Sequence, residues 1–220
     1  MKAPNLISDY ISPLQVTDTG ERALMLMHES NIGQLPVVDG RKYVGIVTME
    51  EVINMKHLSK TIGDLFENLK KPYVLDTAHV FDVMRAAIEF NVRVVPVVDE
   101  EHNYVGIISA ESCLRAFGTL NSIKDPGGIL EVEKPLAEYT LSEVVRIVED
   151  NDATIVSFYT NVEKETSKIQ ITLKLNTNSI GGIIAAFERY NYEVKSVHNE
   201  TEYTEDLKDR YDALMRYLNV

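Results

Sequence analysis

One cysteine, Cys113, stands in 220 residues, so no disulfide can form within the chain, and a reducing compartment is expected. No apolar run reaches membrane-spanning length, and no charged-then-apolar signal opens the sequence. A cytoplasmic protein without a membrane partner is therefore expected. Positive charge is short as well. There are 22 basic residues against 34 acidic ones, for a net charge of −12, and no basic stripe to follow a phosphate backbone, which argues against a nucleic-acid partner. Catalytic motifs are missing too. There is no G-x-x-x-x-G-K-S/T loop, no H-E-x-x-H and no G-x-S-x-G. His28, His57, His79, His102 and His198 lack metal-ligand spacing, and neither Gly127-Gly128 nor Gly181-Gly182 belongs to a dinucleotide fingerprint. No catalytic residue, no metal and no enzyme activity are expected.

What the sequence does contain is a repeat. LPVVDGRKYVGIVTMEEVI (35–53) returns as VPVVDEEHNYVGIISAESCL (95–114), with Pro36 and Pro96 sixty residues apart. One extra residue in the second turn moves Gly45 to Gly106, and the match runs back without a gap from Asn31 and Asn91 to Thr17 and Thr77. A fixed offset means that one supersecondary unit is used twice. Each copy reads as a short buried strand, a polar turn, a returning strand and a helix. The proline is expected at a strand start or on an edge, where no ladder N–H is needed. Thr48-Met49-Glu50-Glu51 has the spacing of a capping box, and Ser109 opens the equivalent helix without the glutamate. Ahead of each hairpin lies a helical pattern, its apolar face marked by Ala23, Leu24 and Met27 in the first copy and by Val80, Met84, Ala87 and Ile88 in the second. Thr17, Asp18 and Thr77 suit the N-caps of these helices. Matching lead-ins, NLISDYI (5–11) and TIGDLF (61–66), precede the copies. A sixty-residue unit alone buries only about 60% of its unfolded surface, so the two copies are expected to pack as one domain.

A βαββα unit with h-P-V-V-D, a short turn and h-h-G-h-h-S/T before a helix resembles the CBS domain, and the tandem resembles a Bateman module. The resemblance covers roughly residues 3–118, as repeats of about 3–58 and 61–118, and implies a single pseudo-two-fold domain over 1–121. It also implies a regulatory ligand, AMP, ADP, ATP or S-adenosylmethionine, in a cleft between the repeats. In the family the S/T after the second strand meets phosphate, and an Asp three residues on holds the ribose diol. Here those positions are Thr48 and Glu51 in the first repeat, and Ser109 and Ser112 in the second. Neither repeat has the aspartate. Glu51 keeps the charge on a longer arm; Ser112 loses it. Ile32, Leu35, Val92 and Val95 correspond to positions that line the base. Capping and core packing account for the same residues without a ligand, and that alternative stays open.

After the turn-rich NSIKDPGG (121–128) the pattern changes. Residues 128–199 read as βαββαβ, with Ile169 to Leu175 alternating apolar and polar, and with Ile180, Ile183, Ile184 and Phe187 striping a helix. Thr140-Leu141-Ser142-Glu143 again has capping-box spacing. This order predicts a ferredoxin-like sheet and resembles an ACT domain. Amino-acid-binding members carry a glycine in the loop after the first strand, and Lys134 to Tyr139 has none, so an assembly role is expected instead. Residues 200–220 read as an amphipathic helix with Leu207, Tyr211, Leu214 and Leu218 on one seam.

The fold class expected is thus α+β or α/β: two CBS-type repeats, an ACT-like domain and a C-terminal helix. Two functions follow. One is a regulatory sensor that binds an adenosyl ligand and relays it to a partner protein or a second subunit, in the manner of the CBS/ACT accessory proteins assigned to acetoin utilisation. The other is a ligand-free dimerisation module that recruits another protein. Both resemblances imply faces used for self-association, so a homodimer is expected.

Overall fold

The computed structural model describes residues 2–8 and 11–198. The helix expected over 200–220 lies outside them. The fold is mixed α/β, and the chain divides into two compact units, Met1–Gly118 and the residues from Thr119 onward. The turn-rich segment from Asn121 therefore falls within the second unit, where Asn121–Lys124 is helical.

The first repeat runs through a 3-10 turn (Ala3–Leu6), β1 (Leu14–Gln15), α1 (Gly20–Ser30), β2 (Gln34–Asp39), β3 (Lys42–Thr48) and α2 (Met49–Ile53). The second runs through a longer 3-10 segment (Ile62–Asn68), β4 (Val74–Leu75), α3 (Val80–Glu89), β5 (Val94–Val98), β6 (Tyr104–Ser109) and α4 (Ala110–Gly118). Each builds a three-stranded sheet, β1-β2-β3 or β4-β5-β6, with its outer short strand parallel and its hairpin antiparallel. One apolar core, from Ala3 to Cys113, is shared by both repeats.

Pro36 and Pro96 are third in β2 and β5, the central strands, rather than on an edge. The reason is the length of the neighbours. Val16 N–H donates to Val38 O, so residues 36 and 38 both turn their ladder groups toward β1, and β1 pairs only from Val37 onward. The missing proline N–H thus faces a place where the neighbouring strand has not begun. Asp76 N–H donates to Val98 O in the same way in the second repeat.

The helix starts and faces also differ from expectation. Thr19 and His79 are the N-caps of α1 and α3, and Asp18 instead accepts from the Gln15 N–H. On α3 the residues facing the core are Val80, Val83 and Ala86, whereas Met84 and Ile88 are exposed. An apolar residue stands on both sides of this helix, and the sequence pattern alone favours neither.

The lead-ins cross. Ala3 N–H donates to Ala78 O and Ser8 N–H to Ile107 O, so the segment before the first repeat docks on the second. Ile62 and Gly63 N–H donate to Asp18 and Val16 O, and Lys70 O accepts from Ile46 N–H, so the segment before the second repeat docks on the first. The shared glycine of YVGI makes room for this. A Cβ on Gly45 would lie 2.7 Å from Leu69 Cβ and 2.9 Å from Lys70 O, and one on Gly106 would lie 2.5 Å from Ile7 Cγ2.

The second unit holds α5 (Asn121–Lys124), β7 (Ile129–Pro135), α6 (Leu141–Glu149), β8 (Ile155–Glu163), β9 (Lys168–Leu175), α7 (Gly181–Arg189) and β10 (Glu193–His198). Its strand order is β10-β7-β9-β8, with every neighbouring pair antiparallel. Helices α6 and α7 bury Val144, Ile147, Ile183 and Phe187 against Leu130, Ile171 and Leu173 of the sheet. The Thr140 capping box does not form: Thr140 is the N-cap without a side-chain bond, and Glu143 is drawn instead to Lys134.

Candidate functional site

Thr48 ends β3 and opens α2 with extended backbone (φ −99°, ψ 155°), which lets its side chain reach over the first turn. Its Oγ1 accepts from the Glu51 N–H at 3.2 Å and donates to Glu51 Oε2 at 2.8 Å. The Thr48 N–H donates to the same Oε2 at 2.7 Å. The capping box is therefore complete. One carboxylate oxygen serves both Thr48 groups, and Oε1 takes no part in it. Both residues are half-buried.

The second repeat is arranged differently. Ser109 Oγ accepts from the Ser112 N–H at 3.0 Å, and the two hydroxyls lie 3.0 Å apart. Ser8, carried in on the crossed lead-in, places its Oγ 2.9 Å from that of Ser112. Ser8 and Ser109 are both buried. Three hydroxyls thus form one chain, Ser8–Ser112–Ser109, where the first repeat has a carboxylate. Ser8 was not legible as a site residue. The second 3-10 segment has seven residues and the first has four, so the offset of sixty does not carry through the lead-ins, and only the crossing brings Ser8 to Ser112.

Leu35, Val92 and Val95 are buried in the shared core, and Ile32 is half-buried against it. Leu35 also borders a cavity of about 300 Å³ with Ile11, Ser12 and Glu29; neither Thr48 nor Glu51 lines it. Val95 and Ser109 border a groove of about 310 Å³ between α3 and α4. The backbone joins the remaining pieces. Met49 N–H donates to Gly33 O and Ala110 N–H to Arg93 O, tying each residue after Ile32 or Val92 to the start of the following helix. Gln34 Oε1 accepts from the Arg93 N–H at 2.8 Å, which links the equivalent ends of the two repeats. The eight residues therefore fall into two equivalent groups, one per repeat, rather than one cavity.

Cys113 lines the α3/α4 groove, and burial pushes its thiol up from the ordinary value, which keeps it protonated. In the second unit Lys134 and Pro135 belong to β7 rather than to the loop after it, and Lys134 is a buried lysine held by Glu143 at 2.7 Å and by Tyr190 O at 3.1 Å. Among the described residues no group of three or more His, Cys, Asp or Glu could hold a metal ion, and no helix is long and apolar enough to cross a membrane.

Residues 8–57 and 62–119 each match the CBS domain family model. The first unit is a tandem CBS domain pair. Relatives of the chain include an uncharacterised protein of Methanocaldococcus jannaschii, 28% identical over 114 residues, covering 50% of this chain and 43% of that one. An inosine-5'-monophosphate dehydrogenase of Korarchaeum cryptofilum is 24% identical over 186 residues, covering 83% of this chain and 38% of the relative. The chain spans less than half the length of these curated relatives. Among solved structures, a CBS domain pair/ACT domain protein from Thermotoga maritima aligns with a TM-score of 0.49 at 20% identity, covering 53% of this chain and 96% of that one. CBSX2 in complex with AMP aligns with a TM-score of 0.47 at 23% identity, covering 53% and 95%. In the CBS pair of this chain, Thr48–Glu51 and Ser109–Ser112 stand at the two equivalent strand-to-helix junctions.

Proposed function

We propose that the CBS pair is a regulatory sensor that takes up an adenosine nucleotide (AMP, ADP or ATP) or S-adenosylmethionine, mainly through the first repeat. One observation carries this: Glu51 keeps a carboxylate with Oε1 outside the capping box, whereas the Ser112 hydroxyl is enclosed by Ser8 and Ser109. A carboxylate can accept from both hydroxyls of a ribose. The crossed lead-ins support one pseudo-two-fold domain for the pair. The strand order β10-β7-β9-β8 supports an ACT-like, ferredoxin-like second unit. In this proposal the protein is a cytoplasmic homodimer that catalyses nothing and passes the ligand's effect to a subunit or to a protein partner. It uses no metal and no resident cofactor.

The test is a melting scan. Binding to the folded state alone stabilises by about 2.7 kcal/mol at a hundredfold excess over the dissociation constant. For a chain of this size that raises Tm by roughly 2–4 °C per kcal/mol. Glu51→Ala is expected to abolish the shift, and Ser112→Ala to keep most of it. Loss of the cap alone costs about 1 kcal/mol of stability and lowers the melting point with or without ligand, so the ligand-dependent difference is the quantity to compare. The closed Thr48–Glu51 pair favours a second account, a ligand-free assembly module. A wild-type curve unmoved by millimolar AMP, ADP, ATP and S-adenosylmethionine decides for that account.

A further inference from the structure

Charge at the first-repeat junction runs one way. Helix α2 carries Glu50 and Glu51 in its first turn and no basic residue in its last. Glu29, near the end of α1, is the one charged side chain among the described residues that line the cavity beside Leu35. Among the described residues no salt bridge reaches Glu29, Glu50 or Glu51, so no cation cancels their charge. The second repeat differs. Its helix α4 has one acid in the first turn, Glu111, and Arg115 closes on it at 2.6 Å.

Hydrogen bonding works in the same direction. An anion at a strand-to-helix junction needs donors that are still free. Here the Met49 N–H donates to Gly33 O at 2.8 Å, the Glu51 N–H to Thr48 Oγ1 at 3.2 Å and the Thr48 N–H to Glu51 Oε2 at 2.7 Å. The Thr48 hydroxyl gives its one hydrogen to the same Oε2. Of the donors that open the helix, the Glu50 N–H is left, and it belongs to a turn with two carboxylates. A helix of five residues has little dipole to set against them. A phosphate placed here would exchange its hydration for one N–H and two like charges. What the junction does offer is acceptors: Glu51 Oε1 lies outside the capping box, and the Glu50 side chain is exposed. Acceptors combined with negative charge suit hydroxyl groups and a cation.

We infer that the first-repeat site selects its ligand by charge: it takes an adenosyl group whose 5′ substituent is cationic or neutral, and it excludes a 5′-phosphate. The inference rests on the sensor reading above and narrows it to S-adenosylmethionine, whose sulfonium is positive, over AMP, ADP and ATP. Equilibrium dialysis of the full chain with tritium-labelled S-adenosylmethionine tests it, because competition reads only the site that this compound fills. S-Adenosylhomocysteine, which lacks the sulfonium charge, should displace the label within about tenfold of the unlabelled compound. AMP and ATP should need at least about a hundredfold more. Salt should weaken S-adenosylmethionine and strengthen AMP, since it screens the attraction and the repulsion alike. Glu50→Lys lies outside the capping box and should bring AMP to within about tenfold of S-adenosylmethionine. Glu50→Gln, expected to narrow the gap about threefold, is the second variant should lysine at the helix start disturb folding. AMP displacing the label as well as S-adenosylhomocysteine does, or a gap that neither salt nor the Glu50 variants alter, overturns the charge selection and leaves the sensor standing. So does a melting shift with AMP where S-adenosylmethionine neither shifts the curve nor is retained in dialysis. Failure of every one of these compounds in both measurements overturns the sensor reading, and the inference falls with it.

Discussion

Gly127→Ala is expected to destabilise the second unit by about 3–5 kcal/mol, a loss in the range reserved for a few defined causes. Two of those causes coincide here. Gly127 has φ +155°, a backbone conformation that side-chain-bearing residues rarely adopt. A Cβ built there would also lie 1.9 Å from the Leu175 carbonyl oxygen, which is backbone and cannot swing aside. The surrounding bonds hold the two segments at that separation: Leu175 N–H donates to Gly128 O at 2.9 Å, and Gly128 N–H donates to Thr177 O at 2.9 Å. Relief would require β7 and β9 to part at the end where they begin to pair, Ile129 with Lys174. Amide hydrogen exchange on the full chain gives the readout. Exchange in β7 and β9 should accelerate by about two to nearly four orders of magnitude at the stated free energy, while the shared core of the CBS pair stays protected. Gly181→Ala is the internal control, because its Cβ would meet nothing within 4 Å and it stands in the first turn of α7. It should be neutral or stabilising by up to about 1 kcal/mol. If Gly127→Ala exchanges like the wild type, the close approach at Leu175 is not a feature of the folded chain.

Local order was well marked in this sequence, and long-range order was not. The offset of sixty between Pro36 and Pro96 disclosed the repeat, and the spacing of Thr48 and Glu51 disclosed a capping box that the structure contains. Both signals are carried by residues close together in the chain. The crossing of the lead-ins depends on which repeat each segment docks against, and nothing within NLISDYI or TIGDLF states that. Ser8 was invisible for this reason, since its partner Ser112 lies 104 residues away. A proline cannot donate to a ladder, which points to a strand start or an edge; Pro36 sits inside a central strand because β1 is only two residues long. Thr140 and Glu143 had the spacing of a cap, but a buried cation nearby competes for the carboxylate and wins. Met84 and Ile88 were assigned to the core on periodicity, and α3 turned its other apolar side inward. Apolar residues on both sides of a helix satisfy the same spacing, so the pattern alone does not choose the inward side.

That buried cation leads to the second large effect. Lys134 is 7% exposed, bonded to Glu143 Oε1 at 2.7 Å and to Tyr190 O at 3.1 Å, with its ammonium 4.4 Å from the centre of the Tyr192 ring. Removing one partner of a buried ion pair costs about 3–5 kcal/mol when the other is left without compensation. The two partners are not equivalent here. Glu143→Ala leaves a buried ammonium with a carbonyl and a ring face but no counter-charge, and the full cost is expected. Lys134→Met leaves a carboxylate whose side chain is 23% exposed and can reach water, so a loss of about 1 kcal/mol or less is expected. Urea unfolding of the second unit should therefore rank the variants wild type, then Lys134→Met, then Glu143→Ala. The pH dependence supplies an independent check. The hydrogen bond from Lys134 holds the Glu143 carboxyl below its ordinary value of 4.5. A carboxylate lowered on folding stabilises fully above its unfolded value, and the contribution is lost as the pH falls through the folded one. The gap between wild type and Glu143→Gln should accordingly be complete at pH 7 and should close only below about pH 4.5. A gap that is constant from pH 7 to pH 3, or a Lys134→Met variant as unstable as Glu143→Ala, would show that packing rather than charge holds this corner of the sheet.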